Sequence, residues 1–300
     1  MKIGIYKIGL KWLSDIGEVA DVNGMYEEVW LLIDLFKTYG YDVHYVHPKG
    51  TETYDAIFVF NGVFTNDRED ILLLLKGLTP ELNYLLTEVT LIPDKQQCMN
   101  IDNIFTPCRR FLPQIPLENQ YHSSLYRLKL YNHHYTPVGK SYEFVFGGGE
   151  RKRLKDIVEY VIRPNFLYFG KSPTLGINNR IPIEEYSNIL RKTKYSIVIM
   201  DPICNEMGYV TWRYFENISN GVITFVDSKC DPDGILMEEY HVLRVSNYIE
   251  MRQMMKEIDD NPELYNHLLD YQNSKFTKDD TSGIIVLNSL LRRRELNVQI

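Results

Sequence analysis

Apolar and polar positions alternate along the chain in a way that predicts short strands separated by helices. In the first half, this pattern predicts four strands and two helices. The predicted strands are 2–6, 42–46, 56–60 and 83–86, and the predicted helices are 25–39 and 67–76. Strands that alternate with helices indicate a parallel sheet with covering helices. The first half is therefore predicted to be Rossmann-like.

The alternation restarts after a less regular segment at 107–140, which contains four prolines and is predicted to form loops and short elements near a domain junction. A second α/β unit is predicted from about 141 to 270. Its predicted strands are 143–146, 165–169, 195–200 and 222–226, with helices that end near 162 or span 183–192 and 210–219.

The C-terminal segment from about 279 to 294 has helical spacing of its apolar residues and ends in three consecutive arginines. The arginines either meet the negative end of the helix macrodipole or contact an anion such as DNA. We predict an N-terminal domain at 1–140, a second domain at 141–275 and a C-terminal helix at 276–300 that packs back on the first domain.

Composition narrows the class of protein. With 44% hydrophobic and 24% charged residues, the chain is predicted to be globular, and its net charge of −7 argues against indiscriminate binding of polyanions. No apolar run approaches the roughly 20 residues of a membrane helix, and the N-terminus is predicted to be a strand rather than a signal peptide. The four cysteines lack metal-binding spacing, so we expect free thiols in the cytoplasm.

The stretch FVFGGGERKR at 144–153 places three glycines and three basic residues between a predicted strand and a predicted helix. Glycines allow a tight turn, and a helix N-terminus adds partial positive charge, so the arrangement suits a phosphate. It matches neither GxGxxG nor the Walker pattern, and a plain turn is the alternative. Arg151 and Arg153 can contact a diphosphate through two nitrogens each, beside the backbone of Gly148 and Gly149.

Carboxylates at element ends are the other candidates for chemistry. Glu216 lies three residues after Arg213 on a predicted helix, where it either accepts hydrogen bonds from ribose hydroxyls or forms a pair on a solvated face. Glu88 follows a predicted strand at the carboxyl edge of the sheet, and it is either a general base or an exposed loop residue. Glu28 begins the first helix, where acids are also ordinary partners of the dipole.

Basic residues are most concentrated in the irregular segment 107–140, which has five lysines or arginines and one acid, interleaved with aromatic residues. This combination is typical of surfaces that neutralise phosphates and stack on exposed bases. The alternative is a solvated loop with its tyrosines in the core. The candidate DNA contacts are Arg109, Arg110, Arg127, Lys129 and Lys140.

Taken together and in order, these motifs resemble the T-even phage DNA β-glucosyltransferase family. The matching segments are MKIGIY, LLTEVTL, FVFGGGERKR, LYFGK, NRIP, YVTWRYFEN and GVITFVD. The resemblance implies an α/β fold of the GT-B type, with two Rossmann-like domains facing across a cleft and a C-terminal helix that crosses back to the first domain. It also implies a DNA-binding first domain and a second domain that binds a UDP-sugar.

The resemblance implies a role for each matched residue. Glu88 stands at the position of the catalytic aspartate, and Glu28 at that of a carboxylate facing the sugar. The positions implied for the donor diphosphate are Gly148, Gly149, Arg151, Arg153 and Arg213, and those implied for the nucleoside are Arg180, Ile181 and Glu216. Arg180 replaces a lysine of the family, and Ile181 matches a residue whose backbone contacts uracil.

The implied activity is transfer of a sugar, with inversion, from a UDP-sugar to the hydroxyl of a 5-hydroxymethylpyrimidine. The favoured donor is UDP-glucose, and the favoured acceptor base is 5-hydroxymethylcytosine. The acceptor base lies in double-stranded phage DNA, in the cytoplasm of an infected bacterium, and must be flipped out of the helix. We expect a monomer without a membrane partner, stimulated by Mg²⁺ or Mn²⁺ that is not tightly bound. The alternatives are a GT-B enzyme acting on a polysaccharide, lipid or protein, and a non-catalytic nucleotide- or DNA-binding protein.

Overall fold

The computed structural model describes residues 1–7, 27–61, 69–86, 98–106, 108–115, 117, 119–122, 138–209, 211–231 and 243–277. The chain divides into two compact units. The first contains the described residues up to 122, and the second contains those from 138 onward. The C-terminal helix predicted at 279–294 lies outside the described residues, and the three-part division stays a prediction.

The first unit contains a parallel sheet with the strand order β2-β1-β3-β4-β5-β6. Its strands are β1 (Lys2–Lys7), β2 (Asp42–Tyr45), β3 (Ala56–Asn61), β4 (Leu82–Leu86), β5 (Asn103–Thr106) and β6 (Gln120–His122). Helix α1 (Glu27–Thr38) follows β1, helix α2 (Glu69–Lys76) follows β3, and a 3-10 helix (Arg109–Gln114) precedes β6. The four predicted strands and the predicted parallel sheet are confirmed, whereas β5 and β6 were not predicted.

Burial explains the strand and helix positions of the first unit. The apolar run of β3 is buried from Ala56 to Phe60, as expected for a parallel strand covered on both faces. Helix α1 buries Val29, Leu32 and Phe36, which share one face. The helix ends at Thr38, and Gly40 follows with a φ of 77°, in the left-handed region that glycine adopts without a side-chain clash.

The second unit contains a sheet with the order β12-β11-β10-β7-β8-β9, in which only β9 runs antiparallel to its neighbour among the described strands. Its strands are β7 (Tyr142–Gly147), β8 (Phe166–Ser172), β9 (Ile177–Asn179), β10 (Thr193–Val198), β11 (Ile223–Asp227) and β12 (Leu243–Val245). Its helices are α3 (Leu154–Tyr160), α4 (Ile183–Arg191), α5 (Pro202–Glu206), α6 (Trp212–Ser219), α7 (Tyr248–Asp259) and α8 (Pro262–Thr277). A short 3-10 turn (Ser228–Cys230) follows β11.

The strand order of the second unit creates a switch point between β7 and β10. After β7 the chain builds β8 and β9 on one side, and then crosses to build β10, β11 and β12 on the other. Open α/β sheets bind ligands outside the carboxyl ends of their strands at such a point. The loop that follows β7, residues 148–153, is the glycine and arginine segment singled out in the sequence. We call it the glycine loop.

The predicted strands of the second unit are confirmed, but three features differ from prediction. Helix α3 begins at Leu154, after the basic residues rather than directly after the glycines. Strands β9 and β12 and helices α5, α7 and α8 were not predicted. No helix within the described residues is long and apolar enough to cross a membrane.

Candidate functional site

A pocket of about 360 Å³ opens at the switch point of the second unit. Its walls come from the end of β7, the end of β8, the segment between β9 and α4, and the first turns of α4 and α6. The lining residues are Gly147, Gly148, Gly149, Phe169, Gly170, Lys171, Arg180, Ile181, Tyr186, Arg213 and Glu216. Six residues predicted for the diphosphate or nucleoside lie among them, although they come from three separate segments of sequence.

The backbone of the glycine loop is hydrogen-bonded to β8. The N–H of Gly148 donates to the carbonyl of Phe169 at 2.9 Å, and the N–H of Glu150 donates to that of Lys171 at 2.9 Å. These two N–H groups are therefore not available to a ligand. In this respect the loop differs from the sequence prediction, in which the N–H groups of the loop face a ligand. Within the described residues, the N–H groups of Gly149 and Arg151 make no hydrogen bond, so they are the ones available.

The side chains of Glu150 and Arg153 hydrogen-bond the glycine loop to neighbouring segments. The carboxylate of Glu150 accepts hydrogen bonds from Ser172 Oγ at 2.6 Å and from the N–H of Thr174 at 3.0 Å. The bonds from Ser172 and then Thr174 lower the pKa of Glu150. Arg153 donates from Nε to the carbonyl of Gly149 at 2.8 Å and from Nη1 to that of Ile199. Arg153 is thus engaged in holding the loop, and it does not line the pocket.

Arg151 is oriented differently from Arg153. Its side chain is 78% exposed, and its Nη1 lies 3.8 Å from Oδ2 of Asp201. Asp201 also accepts a hydrogen bond from the N–H of Lys152 at 3.1 Å. The φ of Arg151 is 39°, a value in the left-handed region that costs a non-glycine residue free energy and that often accompanies function. Like Arg153, Arg151 does not line the pocket, but of these two predicted diphosphate arginines it is the one with an exposed guanidinium.

Arg213 and Glu216 form an ion pair across one turn of α6. Glu216 is only 2% exposed and lines the pocket, so the pair does not lie on a solvated face. The guanidinium carbon of Arg213 lies 5.1 Å from the ring centre of Tyr186. Burial acts to lower the pKa of Arg213, but the neighbouring Tyr186 and Glu216 outweigh it and raise the pKa. Thr211 caps the helix by accepting a hydrogen bond from the N–H of Arg213.

Arg180 and Ile181 lie between β9 and α4, on another wall of the pocket. Arg180 is exposed, while Ile181 packs against the cluster formed by Val145, Tyr186 and their neighbours. Neither the N–H nor the carbonyl of Ile181 is hydrogen-bonded within the described residues. This segment therefore offers one backbone donor and one backbone acceptor at the pocket wall.

No protein-family model and no curated protein sequence matches the chain. Solved structures do match, and one is the DNA-modifying enzyme β-glucosyltransferase, determined with and without its substrate uridine diphosphoglucose. It is 16% identical to this chain with a TM-score of 0.71, and the match covers 97% of this chain and 99% of that chain. The chain has the GT-B glycosyltransferase fold. The sequence prediction of this fold is confirmed.

Two further structures share the GT-B fold over the same extent. T4 phage β-glucosyltransferase in complex with UDP and Mn²⁺ is 15% identical with a TM-score of 0.68, and the complex of that enzyme with its UDP-glucose substrate is 16% identical with a TM-score of 0.69. Each match covers 97% of this chain and 99% of the other.

Three of the seven residues predicted for catalysis or DNA contact lie outside the described part of this GT-B chain. Glu88 lies outside it, two residues after the end of β4, and Arg127 and Lys129 lie outside it as well. Glu28 is the second residue of α1. Arg109 and Arg110 begin the 3-10 helix that precedes β6. The structure does not bring these residues together into a described site.

Lys140, predicted to contact DNA, is instead hydrogen-bonded to backbone carbonyls within the protein. Its Nζ donates to the carbonyl of Arg191 at 2.9 Å and to that of Gly221 at 2.8 Å, inside the second unit. Burial lowers the pKa of Lys140 to about 8. The sequence showed a basic residue beside a glycine, but it did not show that the ends of two helices would supply carbonyl acceptors.

The sequence analysis missed five residues that line the pocket, which are Gly147, Phe169, Gly170, Lys171 and Tyr186. The segment LYFGK carried a signal, because glycine and lysine follow a strand at its carboxyl end. Tyr186 carried none, since an aromatic residue in an amphipathic helix is ordinarily a core residue. Within the described residues, no group of three or more histidines, cysteines or acids could hold a metal ion.

Proposed function

We propose that the protein is a glycosyltransferase that takes a sugar from a UDP-sugar and transfers it to a 5-hydroxymethylpyrimidine in DNA. The observation that carries this proposal is the pocket at the switch point, which gathers a glycine loop, two arginines and a buried glutamate. The likeness in fold to a DNA-modifying β-glucosyltransferase supports it.

The pocket has a suitable group for each part of a uridine diphosphate. The free N–H and carbonyl of Ile181 match the paired donor and acceptor of a uracil edge. Glu216 can accept hydrogen bonds from ribose hydroxyls, which donate to a carboxylate. The diphosphate then lies by the glycine loop, where the N–H of Gly149 and the guanidinium groups of Arg151 and Arg213 can neutralise it. UDP-glucose is the first donor to test.

The proposed reaction is a direct displacement. Glu88 removes the proton from the acceptor hydroxyl, whose oxygen attacks the anomeric carbon as the bond to the UDP oxygen breaks, so the configuration inverts. Glu28 faces the sugar. Negative charge grows on the leaving diphosphate, and the arginines of the pocket stabilise it. A divalent cation such as Mg²⁺ or Mn²⁺ would bind through the diphosphate oxygens rather than a preformed protein cluster.

DNA as the acceptor is supported by the fold likeness and by the basic composition of the segment 107–140. The candidate contacts Arg109, Arg110, Arg127 and Lys129 would neutralise phosphates, and binding of this kind weakens steeply with salt. The acceptor base must leave the duplex to reach a donor, which costs a few kcal/mol. We propose 5-hydroxymethylcytosine as the first base to test.

Isothermal titration with UDP tests the donor half of the proposal. We expect saturable binding by the wild type and a loss of at least tenfold in affinity for Glu216→Gln. Glu185→Gln is the matched control, because Glu185 is exposed on α4 and does not line the pocket. Equal affinity of all three proteins, or no binding by any, would contradict a uridine diphosphate site here.

Incubation with UDP-glucose and two duplexes of one sequence tests the acceptor half. One duplex carries 5-hydroxymethylcytosine, the other carries cytosine, and nucleosides are measured by mass spectrometry. We expect a hexose on the first duplex only, and none with Glu88→Gln. UDP binding without transfer to either duplex would support the donor site and contradict DNA as the acceptor.

A further inference from the structure

Tyr186 is a buried residue of the pocket whose hydroxyl has no evident structural purpose. It lies in the first turns of α4, and its ring packs with Val145, Leu190 and Val222. A phenylalanine would fill the same apolar space without burying a polar atom. Packing therefore accounts for the ring but not for the hydroxyl.

The hydroxyl reaches the end of β7 because residue 147 is glycine. A Cβ at Gly147 would lie 2.3 Å from Oη of Tyr186, far inside van der Waals contact. Any other residue at 147 would displace the ring or its hydroxyl. Gly147 and Tyr186 both line the pocket, so the hydroxyl lies beneath its floor at the carboxyl end of the central strand.

The hydroxyl of Tyr186 is buried, and no group among the described residues accepts a hydrogen bond from it, because its partner Arg213 can only donate. Such an orphaned group costs roughly 1–3 kcal/mol, and native proteins retain few of them. Burial also raises the pKa of Tyr186, so the phenol stays protonated and can donate.

The charged side chain that lies against Tyr186 cannot accept its proton. The guanidinium of Arg213 lies over the Tyr186 ring, and a guanidinium carries only donors. The N–H of Gly149, on the same pocket wall, has no partner within the described residues either. Arg213 also binds the carboxylate of Glu216, so the donors that lack an acceptor at this pocket are the Tyr186 hydroxyl and the Gly149 N–H. Two such donors beside a guanidinium define a place for an anion.

We propose that the hydroxyl of Tyr186 donates a hydrogen bond to a phosphate oxygen of the bound donor, which makes Tyr186 a further diphosphate-binding residue. This inference rests on the proposed function, because the pocket must hold a phosphate. It accounts for both the orphaned hydroxyl and the glycine at 147. Arg213 and Tyr186 then bind the same anion from adjacent positions.

The test compares wild type with Tyr186→Phe, and isothermal titration measures the affinities for UDP, uridine and inorganic pyrophosphate. We expect roughly a tenfold loss for UDP and for pyrophosphate and no change for uridine, since one hydrogen bond to a charged oxygen is lost. The melting temperature of the ligand-free variant should equal or exceed that of the wild type, because a buried orphan is removed. A residue with a purely structural role would not combine these effects.

Tyr160→Phe is the matched control, because Tyr160 is buried in the same unit and does not line the pocket. It should leave all three affinities unchanged. Unchanged UDP and pyrophosphate affinities in Tyr186→Phe would overturn the inference, and so would an equal loss for uridine. Pyrophosphate binding that depends on Tyr186, without UDP binding by the wild type, would support the inference and overturn the uridine diphosphate proposal. Binding of neither ligand would overturn both.

Discussion

Replacing Gly170 with alanine should disrupt the pocket through a single steric clash. A Cβ at this position would lie 1.8 Å from the carbonyl oxygen of Gly148, whereas real Cβ contacts are essentially never closer than 3.0 Å. The backbone fixes the position of the Cβ, and the carbonyl oxygen is itself a backbone atom, so no side-chain rotation can relieve the contact. The glycine loop and β8 must separate by more than about 1 Å.

The magnitude follows from the bonds that this separation breaks. The N–H of Gly148 and the N–H of Glu150 each donate to β8 at 2.9 Å, and a further ångström takes both bonds outside hydrogen-bonding range. Two backbone hydrogen bonds contribute roughly 1–3 kcal/mol to the free energy of unfolding. Displacement of the loop also removes contacts to the phosphates, so UDP affinity should fall at least tenfold.

Thermal unfolding and isothermal titration with UDP measure the two effects in Gly170→Ala. Gly139→Ala is the control, because a Cβ at Gly139 has nothing within 4 Å and should change neither quantity. A folded Gly170→Ala protein with wild-type stability and UDP affinity would refute the reasoning, because it would show that the loop and β8 can separate without consequence.

Three other predictions concern charged groups. Glu150→Gln should lower the free energy of unfolding at neutral pH. The difference in free energy from the wild type should vanish as the pH falls through the lowered pKa of Glu150. Urea unfolding at a series of pH values measures this difference. The pKa of Lys140 is lowered to about 8, so the folded state releases this proton before the unfolded state does. Between pH 8 and about 10.5, the stability of the wild type should therefore rise relative to Lys140→Met, and a falling difference would contradict the placement. Glu216→Gln should reduce the preference for UDP over 2′-deoxy-UDP by roughly tenfold, whereas an unchanged preference in titration would separate Glu216 from the ribose.

The parallel sheets were predictable because their strands are short apolar runs separated by helices. The run AIFVF is buried as a whole in β3, so burial and sequence pattern coincide. The three-residue strands β6 and β9 were not predictable, since they carry little apolar signal and depend on a neighbouring strand for their hydrogen bonds.

The nucleoside part of the candidate site was predictable, for Glu216 from its residue type and helix position and for Ile181 from the family resemblance. Glu216 and Ile181 lie in the pocket, as expected of a nucleoside site. The difference between Arg151 and Arg153 in the structure is tertiary, so residue type alone does not explain it. One is exposed, and the other finds carbonyl acceptors at Gly149 and at the end of β10.

The tethers of the glycine loop have a consequence for the thermodynamics of binding. The loop is joined to β8 through its backbone, to the turn after β8 through Glu150 and to the end of β10 through Arg153. Its conformational entropy is therefore lost when the protein folds, and little remains to be lost when a ligand arrives. Preorganisation of this kind lets the few available donors of the loop contribute most of their interaction free energy to affinity.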